Sequence, residues 1–399
     1  MRNDHSALGV ATTLRPASPV TCIRPHAAAK AARFFSEKFP GKVLYAVKAN
    51  PTPELIQVLA ENGVSHFDVA SIAEVRRVRE MLPNATLCYM HPVKPAEAIA
   101  EAYHQHGVRT FSLDSHEELE KILEATGNAE DLTLCVRLRV SSGHSKLSLA
   151  SKFGVSAEEA PALLLATRQA ADSLGVCFHV GSQAMSPQAY ADALGIAKTA
   201  IVQAGVTVDV VDVGGGFPSI YPGMVPPPLE AYFETIKAQF EELPISYSAE
   251  LWCEPGRALC AEYSSVVVRV EKRSGDVLFI NDGSYGSLFD AAHVGWKFPV
   301  RLLRETPSQT RTTGFSFYGP TCDDMDFMKG PFELPADVRP GDYIEIGMLG
   351  AYGAAMRTDF NGFRSDKTQE VFDAPMFSAY GNESQDEAQL PLTFARSAE

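Results

Sequence analysis

Eight short β-prone runs alternate with amphipathic stretches before about residue 260. The runs are Val43–Lys48, His66–Ser71, Thr86–Met90, Thr110–Asp114, Thr133–Val140, Val176–Ser182, Val208–Gly214 and Ser248–Glu254. The amphipathic stretches between them are Pro53–Asn62, Ile72–Leu82, Pro95–His106, His116–Thr126, Ala157–Leu174, Pro187–Ala204 and Pro228–Glu242. Eight strand–helix repeats predict a (β/α)8 barrel. A doubly wound sheet is the alternative, but the count of eight and the near-uniform spacing favour the barrel.

The pattern changes after about residue 262, where strand-like runs are separated by turns rather than helices. These runs are Val266–Val270, Val277–Asn281, Thr313–Tyr318 and Tyr343–Ile346. Such a pattern predicts an all-β domain, and Val20–Ile23 could add a strand to it. We therefore expect a barrel over residues 26–262 and a β domain, sandwich-like or barrel-like, made of residues 1–25 and 263–399.

Charge and cysteine usage limit the classes of partner. The formal net charge of −14 argues against binding to nucleic acid or to anionic membranes. The sequence lacks an apolar stretch of ~20 residues and a visible secretory signal. Its seven cysteines are scattered without metal-ligand spacing. We therefore expect no metal and a cytoplasmic protein with reduced thiols.

Polar residues follow nearly every predicted barrel strand. They are Lys48, Asp68, His91, Asp114, Arg137, His179 with Ser182, Gly214 to Gly216, and Glu254 with Arg257. Catalytic groups of (β/α)8 enzymes cluster at the carboxyl ends of the strands. The sequence therefore predicts an active site at this end of the barrel.

Two of these groups indicate pyridoxal phosphate (PLP) chemistry. Lys48 ends an apolar run, and a lysine amine can hold PLP as a Schiff base; the alternative is an ordinary solvated lysine. Gly214-Gly215-Gly216 follows the seventh run, where barrels often bind phosphate, and glycine lets the backbone approach it closely. The alternative for the glycines is a flexible turn.

The remaining strand ends have matching interpretations. Glu254 could bond a pyridine nitrogen, and Arg257 could pair with phosphate or hold Glu254; a buried ion pair is the alternative. His179 could stack on a cofactor ring and Ser182 could reach its phosphate, although a lone histidine is more often simply a satisfied polar residue. Asp68 and Glu74 could pair with the Lys48 ammonium, although Glu74 could equally be a solvated helix residue.

A loop in the predicted β domain, Gly319–Asp326, places Cys322 beside Asp323, Asp324 and Asp326. Neighbouring acids favour a neutral thiol, which is a proton donor rather than a nucleophile. The acids would also attract an ammonium group. A calcium loop is the alternative, but the spacing is not that of an EF-hand.

Seven motifs in order, from about Val43 to Phe363, resemble one family. They are YAVKANP, HVGSQ, GGGFP, CEPGRAL, GPTCDDMD, GAY and FNGF. Together they resemble the fold-type III, alanine-racemase-like PLP-dependent decarboxylases, above all the ornithine decarboxylases and the bacterial lysine/ornithine decarboxylases. The resemblance covers most of the chain.

The resemblance implies a role for each matching position. Lys48 matches the Schiff-base lysine, Glu254 the partner of the pyridine nitrogen, and His179 the histidine that stacks on the ring. The positions that match residues around the cofactor and its phosphate are Asp68, Glu74, Arg137, Ser182, Gly214, Gly215, Gly216, Gly256, Arg257 and Tyr352. The positions that match substrate-binding residues, including Cys322 as the donor of a proton to Cα, are Asp290, Cys322, Asp323, Asp326 and Phe360.

The resemblance also implies an activity and an assembly. It implies decarboxylation of L-ornithine to putrescine and CO2 by a homodimer in which the Cys322 loop completes the partner's site. A dual enzyme that also converts L-lysine to cadaverine is the alternative, since one methylene discriminates poorly. A non-catalytic regulatory relative is a remote alternative. Diaminopimelate is disfavoured, because its decarboxylases carry Cys-Glu-Ser-Gly-Asp where this chain has an acid-rich loop.

Overall fold

The first of two structural units is a closed barrel of eight parallel strands. The computed structural model describes residues 5–141, 143–147 and 152–381. The barrel strands are Lys42–Ala46, His66–Val69, Thr86–Tyr89, Thr110–Leu113, Thr133–Arg137, Ser173–Cys177, Val210–Asp212 and Glu250–Cys253. Each strand pairs with the next along the chain, and the last pairs with the first to close the ring. The predicted barrel is thus confirmed.

Helices follow the strands as the amphipathic pattern predicts. Those that match the seven predicted stretches are Pro53–Glu61, Ile72–Met81, Ala96–His104, His116–Thr126, Ala160–Ala170, Gln188–Ala204 and Leu229–Glu241. Local chemistry fixes several of their ends. The Ser71 and Ser115 hydroxyls accept hydrogen bonds from backbone N–H groups three residues later. Gly127 and Gly205 end two helices in the left-handed conformation.

The start of the sixth strand and the segment before the first strand differ from the sequence prediction. The sixth strand begins at Ser173, whereas the sequence predicted a helix to Leu174 and a strand from Val176. Leu174 fits the helical spacing of apolar residues, but it pairs with Leu134 in the sheet. An additional helix, Pro25–Lys38, precedes the first barrel strand and was not predicted.

Alternate side chains on the strands face opposite layers. Tyr45, Phe67 and Val211 pack in the large core shared with the helices. The intervening positions form a separate cluster inside the barrel, made of Leu44, Cys88, Met90, Cys135, Cys177, Val210 and Trp252. This interior is dry and apolar, so any charge placed in it needs a partner.

The second unit is an eight-stranded mixed sheet. Its strands are Val20–Ile23, Ser264–Ser274, Val277–Ile280, Val300–Leu303, Thr312–Tyr318, Phe327–Pro335, Tyr343–Ile346 and Thr368–Glu370. The predicted strand Val20–Ile23 is present and pairs with Ser264–Ser274. The strands Val300–Leu303, Phe327–Pro335 and Thr368–Glu370 were not predicted. The shorter elements are the helices Ala7–Gly9, Arg257–Cys260 and Phe289–His293, the π-helix Val10–Leu14, the 3-10 turns Val47–Ala49, Ala261–Tyr263 and Phe360–Gly362, and the two-stranded sheet of Ser145–Leu147 with Ser182–Ala184.

A buried ionic cluster holds the first residues of the chain against the sheet. The Arg24 guanidinium donates hydrogen bonds to Glu345 at 2.8 Å, to Asp373 at 2.9 Å and to the Ser265 hydroxyl at 2.8 Å. Arg24 and Glu345 are almost fully buried, so removing one partner would cost about 3–5 kcal/mol. Arg24 directly precedes the helix Pro25–Lys38, so the cluster joins the sheet to the barrel.

The division at residues 25/26 and 262/263 remains a prediction. Residues 1–4 and 382–399 of the predicted β domain lie outside the described residues. Among the described residues, the longest helices are too short or too polar to cross a bilayer.

Candidate active site

Lys48 lies just beyond the first barrel strand. The strand ends at Ala46, and Lys48 occupies a one-turn 3-10 helix, Val47–Ala49, rather than the strand end that the sequence predicted. Its Nζ lies 3.5 Å from Oδ2 of the buried Asp68. The Asp68 carboxylate, together with that of Glu254, raises the pKa of Lys48 above its ordinary value. The Lys48 side chain is 42% exposed, so an incoming molecule can reach it.

The segment after the sheet strand Tyr343–Ile346 supports the turn that carries Lys48. The Tyr352 N–H donates to the Ala49 carbonyl at 2.8 Å, and the Asn50 amide donates to the Gly350 carbonyl at 2.7 Å. Tyr352 has φ of 65°, a left-handed conformation that costs a non-glycine residue about 1 kcal/mol or more. These two bonds bring Tyr352 to the barrel mouth, where the family resemblance predicted it.

Glu74 stands behind Asp68, at the start of the helix Ile72–Met81. Its Oε2 accepts a hydrogen bond from the Ala70 N–H at 2.7 Å. Burial, and then the negative charge of Asp68, raise the pKa of Glu74 above its ordinary value. Glu74 is therefore part of the site rather than a solvated helix residue.

His179 follows the sixth strand, and its ring is fixed from two sides. Nδ1 accepts a hydrogen bond from the Gly181 N–H at 3.0 Å. Nε2 faces Gly215 so closely that a Cβ there would lie 3.0 Å from it. Burial, and then the charges of Lys48 and Arg137, lower the pKa of His179 well below its ordinary value. The ring is therefore a neutral imidazole, suited to stacking on a flat cofactor.

The triple glycine after Val210–Asp212 is packed too tightly for any other residue. A Cβ at Gly214 would lie 1.9 Å from the Phe178 carbonyl oxygen. A Cβ at Gly215 would lie 2.6 Å from the backbone carbonyl oxygen of Glu254, and one at Gly216 would lie 2.4 Å from that of Gly181. Gly214 and Gly216 also have positive φ, at 67° and 104°. The loop is therefore a fixed backbone surface, and the flexible-turn interpretation does not fit it.

Arg257 lies beside this loop with donors to spare. Its guanidinium donates to the Tyr221 hydroxyl at 3.1 Å and lies 3.4 Å from the Ser182 hydroxyl. It lies 4.4 Å from the Trp296 ring and 3.7 Å from the carboxylate of Asp290. Its Nε is buried without a hydrogen-bond partner among the described residues. A buried cation with an unpaired donor beside a glycine loop fits a phosphate group.

Gly256 and Arg137 complete the rim. A Cβ at Gly256 would lie 2.9 Å from the Ala49 side chain, so this glycine lets the eighth strand's loop pack on the Lys48 turn. Arg137 is the last residue of the fifth strand, and its guanidinium lies 5.5 Å from the Phe153 ring. Its positive charge acts on Lys48, His179 and Glu254.

Glu254 has a partner that the sequence analysis missed. Its neighbour is Asp212, the last residue of the seventh strand: Gly214 donates its N–H to Asp212 Oδ1 and accepts from the Glu254 N–H through its carbonyl. Burial raises the pKa of both groups; the charge of Asp212 raises the pKa of Glu254 further, whereas Glu254 lowers the pKa of Asp212. The available signal was an acid at an inward-facing position two residues before three glycines, but its partner comes 42 residues later.

A second cluster lies in the sheet unit, around the Cys322 loop. Cys322 is exposed, and its Sγ lies 3.4 Å from the Asn361 amide oxygen. Asp323 accepts a hydrogen bond from the Tyr285 hydroxyl, which lowers the pKa of this carboxyl. The Tyr285 ring lies 4.6 Å from that of Phe360. The sequence analysis assigned no role to Tyr285, which lies in none of the quoted motifs, or to Asn361, although Asn361 belongs to the FNGF motif.

Asp326 belongs to the same loop but is placed differently. Its carboxylate is buried and accepts hydrogen bonds from the N–H and hydroxyl groups of both Ser284 and Thr321. All its bonding capacity is therefore used in shaping the loop. This placement gives no support to the predicted contact of Asp326 with substrate.

The predicted residues thus form two groups. The barrel mouth brings together Lys48, Asp68, Glu74, Arg137, His179, Ser182, Gly214, Gly215, Gly216, Glu254, Gly256, Arg257 and Tyr352, with Asp290 joined through Arg257. Cys322, Asp323 and Phe360 form the other group. Over the described ranges, no hydrogen bond or ion pair links Cys322 or Asp323 to the Lys48 group.

Comparison with known proteins agrees with this geometry. Residues 26–261 match the pyridoxal-binding domain of the pyridoxal-dependent decarboxylases. The lysine/ornithine decarboxylase of Selenomonas ruminantium is 33% identical over 353 residues, which cover 86% of this chain and 87% of that protein. Antizyme inhibitor 2 of Xenopus laevis is 30% identical, over 81% of this chain and 74% of that protein.

A solved structure shares the architecture. The crystal structure of an SrLDC mutant in complex with PLP superimposes with a TM-score of 0.81 at 30% identity, covering 91% of this chain and 94% of that one. The shared fold extends over both the barrel and the sheet, because the coverage exceeds the length of either unit.

Proposed function

The chain belongs to the pyridoxal-dependent decarboxylases, and from that premise we propose that it decarboxylates L-ornithine to putrescine and CO2. Its cofactor is PLP, and its reaction class is the decarboxylation of basic amino acids. The observation that carries the choice of a basic substrate is Asp323. Its half-buried carboxylate accepts a hydrogen bond from the Tyr285 hydroxyl, which lowers the pKa of the carboxyl and lies beside the Phe360 ring.

The residues of the barrel mouth fit PLP. Lys48 Nζ would hold the aldehyde carbon, Glu254 the pyridine nitrogen, and the His179 ring one face of the cofactor. Arg257, Ser182, Tyr352 and the glycine loop would hold the phosphate; the buried, unpaired Nε of Arg257 supports this assignment. When bound, PLP supplies an electron sink for the charge left at Cα after CO2 departs.

The chain's own groups prepare and finish the reaction. Asp68 keeps Lys48 close and charged, so the lysine returns to a defined position after each turnover. The neutral imidazole of His179 adds no positive charge beside the PLP ring, so the PLP ring alone would accept the electrons from Cα. The Cys322 thiol would deliver its proton to Cα, while Asp323 would hold the distal ammonium of the substrate.

The separation of the two residue groups supports a homodimer. Cys322 is exposed and Asp323 half-buried on the sheet unit, and over the described ranges neither makes a hydrogen bond or ion pair to the Lys48 group of its own chain. Two copies related by a twofold axis would place each exposed loop in the partner's barrel mouth, and each copy would receive one in return. We propose that each active site is completed in this way.

L-lysine is the closest competing substrate. A side chain longer by one methylene changes binding by only about 1–3 kcal/mol. The Selenomonas ruminantium relative bears both names, lysine and ornithine. We therefore propose lysine, with cadaverine as product, as the second activity, weaker than that with ornithine.

The similarity to antizyme inhibitor 2 favours a second candidate function, binding to a regulatory protein partner. The complete set of cofactor groups argues against it, because a protein without catalysis has no use for a buried Arg257 with a free donor beside a rigid glycine loop. The two functions predict different behaviour toward PLP and toward basic amino acids.

One assay tests the proposed function. The purified chain is supplied with PLP and with L-ornithine, L-lysine, L-arginine or meso-diaminopimelate, and the amine products are quantified. We expect putrescine to form with the highest kcat/KM and cadaverine to follow. Absence of every amine product, with PLP bound, would favour the regulatory candidate; a higher kcat/KM for another substrate would replace ornithine.

A further inference from the structure

Asp212 is a buried carboxyl group that the reaction described above does not use. It ends the seventh barrel strand, and its side chain is fully buried. Its Oδ1 accepts a hydrogen bond from the Gly214 N–H at 2.8 Å, so it anchors the first residue of the glycine loop. Its Oδ2 is buried and accepts no hydrogen bond from a fixed donor in the described part of the chain.

The Asp212 carboxyl is the charged group that acts most strongly on the carboxyl of Glu254. The backbone holds the two residues together, because the Glu254 N–H donates to the Gly214 carbonyl at 2.9 Å. Two carboxylates cannot hydrogen-bond to each other unless one of them carries a proton. The unfilled acceptor on Asp212 and the closeness of Glu254 therefore both call for a single shared proton.

The surroundings of the pair also favour one proton. The pair lies above the apolar interior cluster of the barrel, where a second negative charge is costly. Burial raises the pKa of Asp212 and of Glu254 above their ordinary values. The charge of Asp212 raises the pKa of Glu254 further, whereas Glu254 lowers the pKa of Asp212, so the shared proton belongs mainly to Glu254. The other charged and titratable groups that face the pair are Lys48, Asp68, Arg137, Cys88, Cys135, Cys177 and Cys253.

We propose that Asp212 is a positioning residue that shares one proton with Glu254 before the cofactor binds, and that Glu254 presents this proton to the pyridine nitrogen. The inference rests on the role proposed above for Glu254. It assigns to Asp212 two tasks: it fixes the Glu254 carboxyl relative to the glycine loop, and it lets a neutral Glu254 exist in the empty site.

The transfer is balanced. One O–H bond in the carboxyl pair breaks, and one N–H bond forms on the ring nitrogen, which uses its own lone pair. The carboxyl pair becomes more negative by one charge, and the ring becomes more positive by one. If the cofactor arrives with its nitrogen already protonated, the pair releases its proton to solvent instead. In both cases the pair loses one proton when the cofactor binds.

Asp212→Asn separates this role from a structural one. The asparagine oxygen can still accept from the Gly214 N–H, and the amide N–H can donate to Glu254. The substitution removes one negative charge, so Glu254 no longer needs a proton in the empty site. A residue that served only to hold the loop would leave the proton count unchanged.

The experiment measures protons exchanged when PLP binds to the cofactor-free enzyme. Isothermal titration calorimetry is run at one pH in several buffers without primary amines and with different heats of ionisation. We expect Asp212→Asn to take up about one proton more, or release about one fewer, than the wild-type enzyme. Equal proton counts in the two proteins would overturn the proposal.

The matched control is Glu262→Gln, at a buried carboxyl elsewhere in the chain. Burial raises the pKa of Glu262 to about 7, and its Oε1 accepts a hydrogen bond from the Ala379 N–H at 2.7 Å. Because it does not belong to the site, its substitution should leave the proton count at the wild-type value. If Glu262→Gln changed the number of exchanged protons as much as Asp212→Asn, the effect would not be specific to the Asp212–Glu254 pair.

Infrared difference spectra of the wild-type enzyme keep the test decisive even if Asp212→Asn does not fold. Adding PLP should remove one protonated-carboxyl C=O stretch, while the contribution of Glu262 cancels; no such loss would refute the shared proton. An enzyme that decarboxylates ornithine but shows equal proton counts would retain the proposed function and lose only this inference. A difference of one proton in a chain that decarboxylates no basic amino acid would do the reverse.

Discussion

The barrel mouth and the Cys322 loop both carry charged side chains but are built in opposite ways. At the mouth, Asp68, Glu254 and Arg257 are buried and their positions are fixed by neighbouring backbone and side chains. In the loop, Cys322 is exposed and Asp323 is half-buried, whereas Asp326 is buried. The mouth is preorganised for a rigid cofactor, whereas the loop offers reactive groups to something outside its own chain. Substitutions in the two regions should therefore fail in different ways.

The largest effect should come from Lys48→Ala, which removes the covalent attachment at the mouth. We expect loss of the visible absorbance of lysine-bound PLP and a fall in kcat of roughly 10³-fold or more, as for other covalent catalytic groups. Lys42→Ala is the matched control, because Lys42 is equally exposed, at 42%, and pairs with Glu250. An unchanged absorbance spectrum in Lys48→Ala would exclude the lysine from this role.

Cys322→Ala should leave the mouth intact and damage only proton delivery. We expect a normal cofactor spectrum, continued CO2 release and a fall of roughly 10²-fold in correctly protonated amine. Normal amine yield would refute the role of the thiol.

Mixing the two inactive variants tests whether the loop serves the partner chain. If Lys48→Ala and Cys322→Ala chains exchange freely, half of the dimers are mixed, and each mixed dimer has one intact site. We expect about a quarter of wild-type activity to return. No recovery, with mixed dimers demonstrated by mass spectrometry, would place both groups in the same chain's site.

Asp323→Asn should weaken substrate binding more than chemistry. Loss of the charge that holds the distal ammonium should raise KM for ornithine by about 10–100-fold, with a smaller change in kcat, since a charged hydrogen bond is worth about 1.5–3 kcal/mol. Asp324→Asn, at the exposed neighbouring position, is the control and should behave as wild type. Equal effects of the two substitutions would mean that the loop acts through its overall charge.

The smallest effect should come from Asp326→Asn, and it should appear in stability. The amide NH2 would face donors on Thr321 that now donate to Oδ2. We expect a loss of about 2 kcal/mol in the free energy of unfolding, measured by denaturant titration with and without PLP. If stability were unchanged while KM for ornithine rose, Asp326 would be a substrate ligand after all.

The barrel could be predicted from the sequence because its signal is local and repeated. The pattern of apolar residues indicates each strand or helix within about ten residues. The strand ends then meet because the parallel topology brings them to one edge. This is why residues as distant as Lys48 and Glu254 were correctly expected at the same end. The residues of the mouth could be predicted for the same reason, since their motifs are short and lie directly after strands.

What could not be predicted depends on partners far apart in the chain. The strand Phe327–Pro335 contains Gly330-Pro331, which reads as a break, although its side chains alternate between buried and exposed. The helix Pro25–Lys38 was missed, although Pro25 occupies its first position and five alanines follow in its sequence. Asp212 and Asp290 acquire their surroundings only from Glu254 and Arg257. No local pattern marks such pairs, because each requires the fold to be known first.

The distribution of thiols has a practical consequence. Cys22, Cys88, Cys135, Cys177, Cys253 and Cys260 are all enclosed by the folded chain, and Cys322 alone is open to solvent. A bulky alkylating dye added to the native protein therefore has a single point of attachment, without any engineering. That label would sit at the edge where two copies are expected to meet, so its fluorescence could follow their association in real time.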